Sequence, residues 1–106
     1  MDVHVTGKQL HLSPEQIAGA EAEAEKLSKF FNGIIDIKIN IGREGDSVCA
    51  EIICIVSGHT TLVAHESGTT VQEALDLVGE NMARQLKEYK DRLHERRSKG
   101  GMPEES

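Results

Sequence analysis

The sequence predicts an α+β fold, a β-α-β-β-β-α two-layer sandwich in which two helices pack on one face of a four-stranded sheet. Three observations predict it. Four short segments alternate apolar and polar residues, as strands with one buried face do. Two longer segments repeat apolar residues every three or four positions, which is typical of amphipathic helices. The 106 residues suit one core, so we expect a single domain at 1–99 and a short disordered tail at 100–106.

The chain is expected to begin with a short strand in which Val3 and Val5 are buried. Ser13 and Gln16 then form a capping box, with a proline at the first helical position, and this predicts the start of a helix. Gly33 is expected to end that helix in a left-handed conformation. The apolar stripe of the helix consists of Ile17, Ala20, Ala24, Leu27 and Phe31.

The middle of the chain predicts an antiparallel meander of three strands. The third strand of the sheet is expected at 48–56 and the fourth at 60–66, with turns at 43–46 and 57–59. Because crossover connections are right-handed in nearly all cases, the first two strands are expected to pair in parallel. The second strand shows the clearest alternation, which predicts buried side chains at Ile35, Ile37, Ile39 and Ile41.

A second capping box, Thr70 with Glu73, predicts the start of a long final helix. Its apolar stripe continues for more than six turns. The stripe consists of Val71, Ala74, Leu75, Val78, Met82, Leu86, Tyr89 and Leu93.

Several classes of function lack their usual residues. Cys49 and Cys54 are five residues apart in one predicted strand, so they face opposite sides of the sheet and are too far apart for a disulfide. We expect two free thiols in a reducing cytoplasm. The histidines and cysteines lack zinc-ligand spacing, and no glycine-rich nucleotide loop is present. We therefore expect no metal, no cofactor, no small-molecule substrate, no membrane association and no enzymatic activity.

Charge is distributed unevenly along the chain. The net charge is −6, but residues 1–80 carry 5 basic and 13 acidic groups, whereas residues 81–99 carry 7 basic and 3 acidic groups. Two interpretations fit this pattern: a solvated helix surface with many ion pairs, or a stripe that binds nucleic-acid phosphates. The basic residues that the two helices are expected to expose are Lys26, Lys29, Arg84, Lys87, Lys90, Arg92, Arg96 and Arg97.

Five segments, in this order and spacing, resemble one known family. They are VTGK at 5–8, SP at 13–14, FNGII at 31–35, EALDLV at 73–78 and RQLKEYKDRL at 84–93. With them, residues 1–97 resemble the ribosome hibernation promoting factor and ribosome-associated inhibitor family, also called sigma-54 modulation proteins. The resemblance implies a fold like that of double-stranded RNA-binding domains. Ending near residue 106, the chain looks like a short form of the family.

The resemblance also implies a function and a set of contacts. Members bind the small ribosomal subunit and its ribosomal RNA in the channel for messenger and transfer RNA, and they inhibit translation by steric occlusion. We accordingly expect Lys26, Lys29, Arg84, Lys87 and Lys90 to face RNA. Lys8 is a weaker candidate, and Arg92, Arg96 and Arg97 extend the basic surface. The free protein is expected to be a monomer.

A different class of function remains open. The acidic residues of the first helix, Glu21, Glu23 and Glu25, are suited to a small protein-interaction adapter that does not bind ribosomes. Reversing the charge of Lys87 and Lys90 separates the two hypotheses, because only the ribosome-binding protein needs them.

Overall fold

The computed structural model describes the backbone of residues 1–57 and 60–100, and the side chains of these residues as far as His94. The predicted order of elements is confirmed. Apart from Gly100, the tail predicted at 100–106 lies outside the described residues, and so does the middle of the turn predicted at 57–59. The elements are β1 (Asp2–Lys8), α1 (Pro14–Phe30), β2 (Ile34–Glu44), β3 (Ser47–Val56), β4 (Thr60–Gly68) and α2 (Val71–Gly100).

The four strands form one sheet in the order β1-β2-β3-β4. β1 pairs with β2 in parallel, as the crossover rule predicted, and the other two pairs are antiparallel. One row shows the register: Val5 is opposite Ile39, Ile39 is opposite Ile52, and Ile52 is opposite Ala64. Because side chains at paired positions point to the same face, this row forms an apolar strip across the sheet.

The core lies between the sheet and the two helices, which cover the same face, so the predicted two-layer sandwich is confirmed. The opposite face carries polar residues such as Lys38, Glu51 and His65, and no described helix or strand covers it.

No helix in the described part of the chain combines the length and apolar character needed to cross a membrane. The largest fully buried side chains include Ile37, Ile39, Ile41, Ile52, Leu75, Met82 and Leu86.

The start of β2 differs from the prediction. Ile35 was predicted to be buried, but its side chain is 50% exposed, whereas Ile34 is only 7% exposed. The pairing of β2 with β3 shifts register between Ile34 and Asp36. An extra residue at such a bulge reverses the alternation of the two faces. The prediction at Ile35 was therefore wrong, and Ile34 takes its place in the core.

Two other apolar residues expected in the core lie at its margin. Val3 is exposed because β1 is an edge strand with a neighbour on one side only. Ile17 is 37% exposed. The buried face of α1 consists of Ala20, Glu23, Ala24 and Leu27. At 100° per residue this places the centre of that face away from Ile17.

The end of α1 is made by packing and not by a left-handed glycine. The helix ends at Phe31, which has extended backbone with φ −140° and whose N–H donates to the Leu27 carbonyl at 3.0 Å. Gly33 does not have positive φ, so that prediction was wrong. Glycine is needed at 33 for space, because a Cβ there would lie 2.7 Å from the Phe31 ring.

Both predicted helix starts are present, with one change. In α1 the Gln16 N–H donates to Ser13 Oγ at 3.1 Å and the Ser13 N–H donates to Gln16 Oε1 at 2.9 Å, which is a full capping box. In α2 the Glu73 N–H donates to Thr70 Oγ1 at 3.1 Å. The Glu73 carboxylate, however, accepts from the backbone and hydroxyl of Thr69. The side chain of Glu73 therefore caps the backbone N–H of Thr69 and not that of Thr70, one residue earlier than in a standard capping box. These hydrogen bonds also lower the pKa of Glu73.

Both cysteines are free and lie on opposite faces of β3, as predicted. Cys54 is in the core, where burial raises its pKa to about 12. Cys49 lies on the open face and donates a hydrogen bond from Sγ to Glu44 Oε1 at 2.9 Å. This bond stabilises the protonated thiol and is the main reason that the pKa of Cys49 is raised.

Candidate nucleic-acid interface

Two grooves adjoin α1 and α2. One is lined by residues of the two helices alone, and the other is lined also by Gly33 and Ser57, which lie next to the ends of β2 and β3. The acidic groove has a volume of about 410 Å³ and includes Glu23, Lys26, Asp76 and Glu80 in its lining. The basic groove has a volume of about 420 Å³ and lies at the end of α1, between Lys29 on α1 and Lys90 on α2. Phe30 lines both grooves.

The charge of the α2 flank changes sign along the helix. Residues three and four positions apart lie on one side of a helix, and this flank is formed in order by Asp76, Glu80, Ala83, Lys87, Lys90 and His94. The first three line the acidic groove and the last two line the basic groove. Lys87 is exposed between them. The flank is thus acidic near the start of α2 and basic near its end.

The first helix places two lysines beside this flank. Lys29 lies in the last turn of α1 and lines the basic groove opposite Lys90. Lys26 lines the acidic groove, and its Nζ lies 3.3 Å from Glu23 Oε2. The structure therefore brings Lys26, Lys29 and Lys90 to one edge of the molecule, with Lys87 on the same flank of α2.

Glu23 has a structural position between the two helices. It is only 9% exposed, and its side chain occupies the space that a Cβ at Gly79 would need, with the carboxyl carbon 2.6 Å from that point. Only glycine at 79 lets the carboxylate approach α2 so closely. Of the three acidic residues suggested for a protein-interacting surface, only Glu21 and Glu25 are exposed.

Ion pairs involve only part of the basic surface. Lys87 Nζ lies 3.1 Å from Asp91 Oδ2, and both side chains are exposed. Among the side chains that the structure describes, Lys29, Arg84 and Lys90 have no acidic group within 4.0 Å. Exposed ion pairs stabilise proteins by about 0–1 kcal/mol. Even the paired lysines can therefore exchange their partner for a phosphate with little loss of free energy.

The remaining sequence-predicted residues are distributed more widely. Arg84 and Arg92 are exposed on α2, whereas the side chains of Arg96 and Arg97 lie outside the described residues. Lys8 lines a shallow hollow with Asn40, Glu51 and other residues of the open sheet face. It is therefore separated by the sheet from the helical lysines.

Phe30 was the one aromatic residue that the sequence placed outside the apolar stripes, and with so few exposed aromatic rings the sequence predicted no base stacking. The residue is 45% exposed and lines both grooves. The signal was its helical phase: Leu27 and Phe31 continue the buried stripe of α1, so the residue between them falls outside it. Helical phase predicts that Phe30 is exposed, but it does not predict that Phe30 borders a groove lined by Lys29 and Lys90.

One cluster in the described residues has the composition of a metal site. The ligand atoms of Asp2, His4 and Asp36 all lie within 4.8 Å of one another, on the open face of the sheet. His4 Nε2 is 3.4 Å from Asp36 Oδ1, a buried oxygen without a hydrogen bond. The direct contact between His4 and Asp36 needs no bound ion, and we assign the cluster no metal.

Residues 3–94 match the model of the family described as "Sigma 54 modulation protein / S30EA ribosomal protein". The chain belongs to this family. Proteins of the sigma-54 modulation family are ribosome-associated and are not enzymes, which agrees with the expectation of no catalytic activity. Membership supports a ribosome-associated role. Comparison with curated proteins finds no match.

Two solved structures have the same fold. A ribosomal subunit interface protein from Coxiella burnetii is 20% identical, with a TM-score of 0.80, and the match covers 86% of this chain and 99% of that one. The N-terminal domain of Protein Y from Thermus thermophilus is 19% identical, with a TM-score of 0.74, and the match covers 84% and 99%. At such identities the likeness establishes the fold, and the β-α-β-β-β-α sandwich is the fold that these family structures share.

Proposed function

We propose that this protein binds the small ribosomal subunit through the exposed edge of α1 and α2, in the channel for messenger and transfer RNA, and inhibits translation by occupying that channel. The observation that carries the proposal is the juxtaposition of lysines from two helices, Lys26 and Lys29 with Lys87 and Lys90, in a family associated with ribosomes. In this proposal the protein acts in the cytoplasm as a monomer.

The charge distribution selects one edge of the protein for contact with RNA. The chain as a whole has a net charge of −6, so most of its surface is repelled by phosphates. The open sheet face carries Asp36 and Glu51, and the β2–β3 hairpin carries Glu44 and Asp46. Among the described residues, Lys26, Lys29, Lys87 and Lys90 form a group of cations along one edge of α1 and α2, the helical edge. Electrostatic steering would orient this edge towards ribosomal RNA.

The expected strength of the electrostatic contribution follows from the number of lysines. Each phosphate neutralised by a cation changes the slope of log K against log salt by about 0.9. For four lysine contacts, binding would weaken roughly a hundredfold between 50 and 200 mM salt. Such contacts position a protein on an RNA backbone without reading its sequence, which suits a function based on occupancy.

The name of one similar structure supports an interface location. It is a ribosomal subunit interface protein, and a surface between ribosomal subunits includes the path of messenger and transfer RNA. A rigid sandwich with one basic edge is suited to filling such a space, because phosphate contacts on that edge leave the acidic remainder of the protein to exclude other RNA.

Competition on purified small subunits tests the proposal. Retention of labelled messenger RNA and transfer RNA on the subunits is measured as the protein is added. We expect the wild type to displace both RNAs over the concentration range in which it binds, and the double variant Lys87→Glu/Lys90→Glu to lose binding and displacement together. The charge-matched control is Lys38→Glu/Arg43→Glu, whose positions are exposed on β2 and outside both helical grooves.

The outcomes separate binding from occlusion. If the wild type binds subunits while both RNAs remain in place, the site lies outside the channel and occlusion is wrong. If the control double variant is impaired as strongly as Lys87→Glu/Lys90→Glu, total charge decides binding and the helical edge has no special role. Circular dichroism of each variant establishes that the fold is retained.

A further inference from the structure

We propose that the basic groove receives one unpaired nucleotide of the bound RNA, with its base stacked on Phe30 and its phosphate between Lys29 and Lys90. This inference rests on the proposed function, because it takes RNA as the partner. It adds to that function a defined subsite with an aromatic contact, whereas a surface of lysines alone would bind only the backbone.

The floor of the basic groove is rigid. Phe31 packs edge-to-face against Tyr89, with ring centroids 5.9 Å apart and planes at 76°. The ring also fills the space above Gly33, and the Gly33 carbonyl accepts a hydrogen bond from the Ser57 N–H at 2.8 Å. These contacts join the end of α1 to β3 and α2. A preformed site of this kind binds without first ordering its own walls.

The size of the groove suits one nucleotide. Its volume of about 420 Å³ lies in the lower part of the range of roughly 300–1,000 Å³ that small-molecule sites occupy. An RNA helix is far too wide to enter, so the occupant must be a nucleotide that has left the stack. Unpaired bases are the usual targets of aromatic side chains in RNA recognition.

Phe30 supplies the stacking surface. It is the last residue of α1 and is 45% exposed. Phe31, its neighbour, is held in the packing of the core, and this fixes the direction in which the helix presents Phe30. Bases stack on an exposed aromatic ring whatever their identity, because each base has a π-face. The subsite is therefore expected to accept any base.

The lysines determine which of the two grooves is used. The two grooves have nearly equal volumes and share Phe30. The acidic groove contains the carboxylates of Asp76 and Glu80, and they would repel a phosphate. The basic groove has Lys29 on one wall and Lys90 on the other, and neither has an acidic group within 4.0 Å among the described side chains. A nucleotide is thus directed to the basic side of Phe30.

The test separates stacking from phosphate contact by their dependence on salt. Dissociation constants for purified small subunits are measured over a salt series. Phe30→Ala is expected to weaken binding about 5- to 150-fold, the range for loss of one base–aromatic stack, with the salt slope unchanged. Lys90→Gln is expected to change the slope by about 0.7, the contribution of one phosphate of a single strand. Phe30→Tyr, which keeps the ring, is expected to bind as the wild type does.

Phe30→Leu is the matched control, because it keeps apolar volume at the end of α1 and removes the aromatic face. We expect it to weaken binding as Phe30→Ala does. Wild-type affinity for Phe30→Leu would overturn the stacking inference even if Phe30→Ala is weak or fails to fold. The proposed function would stand in that case, provided that Lys87→Glu/Lys90→Glu still abolishes binding. Failure of the wild-type protein to bind subunits at any salt concentration would overturn both.

Discussion

Replacing Gly79 with alanine tests the contact that holds α1 and α2 at the spacing on which both grooves depend. A Cβ at this position would clash with Glu23, whose carboxyl carbon lies 2.6 Å and whose Cγ lies 3.0 Å from it. Glu23 has to leave its place between the helices when alanine is introduced at position 79. The substitution Glu23→Ala removes every atom in this clash, because all of them lie beyond the Cβ of Glu23.

Two opposing contributions determine how much Gly79→Ala changes the free energy of unfolding. Alanine in a helix interior is more stable than glycine by about 1 kcal/mol. Overpacking destabilises by about 1–3 kcal/mol. In the wild type, Gly79→Ala should therefore change the free energy of unfolding by between nearly zero and a loss of about 2 kcal/mol. In the Glu23→Ala background only the helix-propensity contribution remains, so the same substitution should stabilise by about 1 kcal/mol.

The assay is urea unfolding followed by far-ultraviolet circular dichroism, since the chain has no tryptophan. The four proteins of the double-mutant cycle are compared, and we expect a coupling energy of about 1–3 kcal/mol. Lys26→Ala is the control for loss of the ion pair with Glu23, and it should not make Gly79→Ala stabilising. Additivity within about 0.5 kcal/mol would refute the reasoning, because distant and independent sites behave in that way.

Further predictions concern the core and the thiols. Ile39→Ala should destabilise the protein by about 2–5 kcal/mol in urea unfolding because its side chain is fully buried, whereas Ile35→Ala, at the bulge, should stay within about 0.5 kcal/mol; equal losses would contradict the assigned facing of β2. Alkylation at pH 8 followed by mass spectrometry should modify Cys54 only as the protein unfolds, since burial raises its pKa to about 12. Glu44→Ala should speed alkylation of Cys49, because removal of the carboxylate lowers the pKa of that thiol towards its ordinary value; an unchanged rate would mean that the hydrogen bond does not control its reactivity.

The arrangement of the sheet was predictable because it follows from alternation and handedness over many residues. A run such as Ile37, Ile39 and Ile41 fixes the facing of β2 for most of its length. The bulge was not predictable, because the alternation that places Ile37 and Ile39 in the core also selects Ile35, whereas the register shift brings Ile34 there instead. Only pairing with β3, which is distant in sequence, decides between them.

The prediction of a left-handed conformation at Gly33 was wrong for a different reason. At position 33 the sequence indicates that a side chain is unsuitable and leaves the reason open. Left-handed backbone is the commoner reason at a helix end, but here the reason is the ring of Phe31. The Glu23–Gly79 contact has the same origin: it depends on two residues far apart in the chain, and no local pattern reports it.

The part of the candidate site that depends only on the position of residues around a helix was predictable from the sequence. The spacing of Lys87 and Lys90 places them on one flank of α2, and Lys29 was expected, like them, to be exposed and to face RNA. The division into an acidic and a basic groove, and the place of Phe30 between them, depend on how the end of α1 meets α2. That relation is set by tertiary packing.

The central claim is that the exposed edge of the two helices binds the small ribosomal subunit. Its most direct test is co-sedimentation with purified subunits across a salt series, with wild type beside Lys87→Glu/Lys90→Glu. We predict that the wild type pellets with subunits at low salt, that this binding weakens steeply as salt rises, and that it is lost in the double variant. A wild-type protein that stays in the supernatant at low salt, or a double variant that pellets equally well, would contradict the claim.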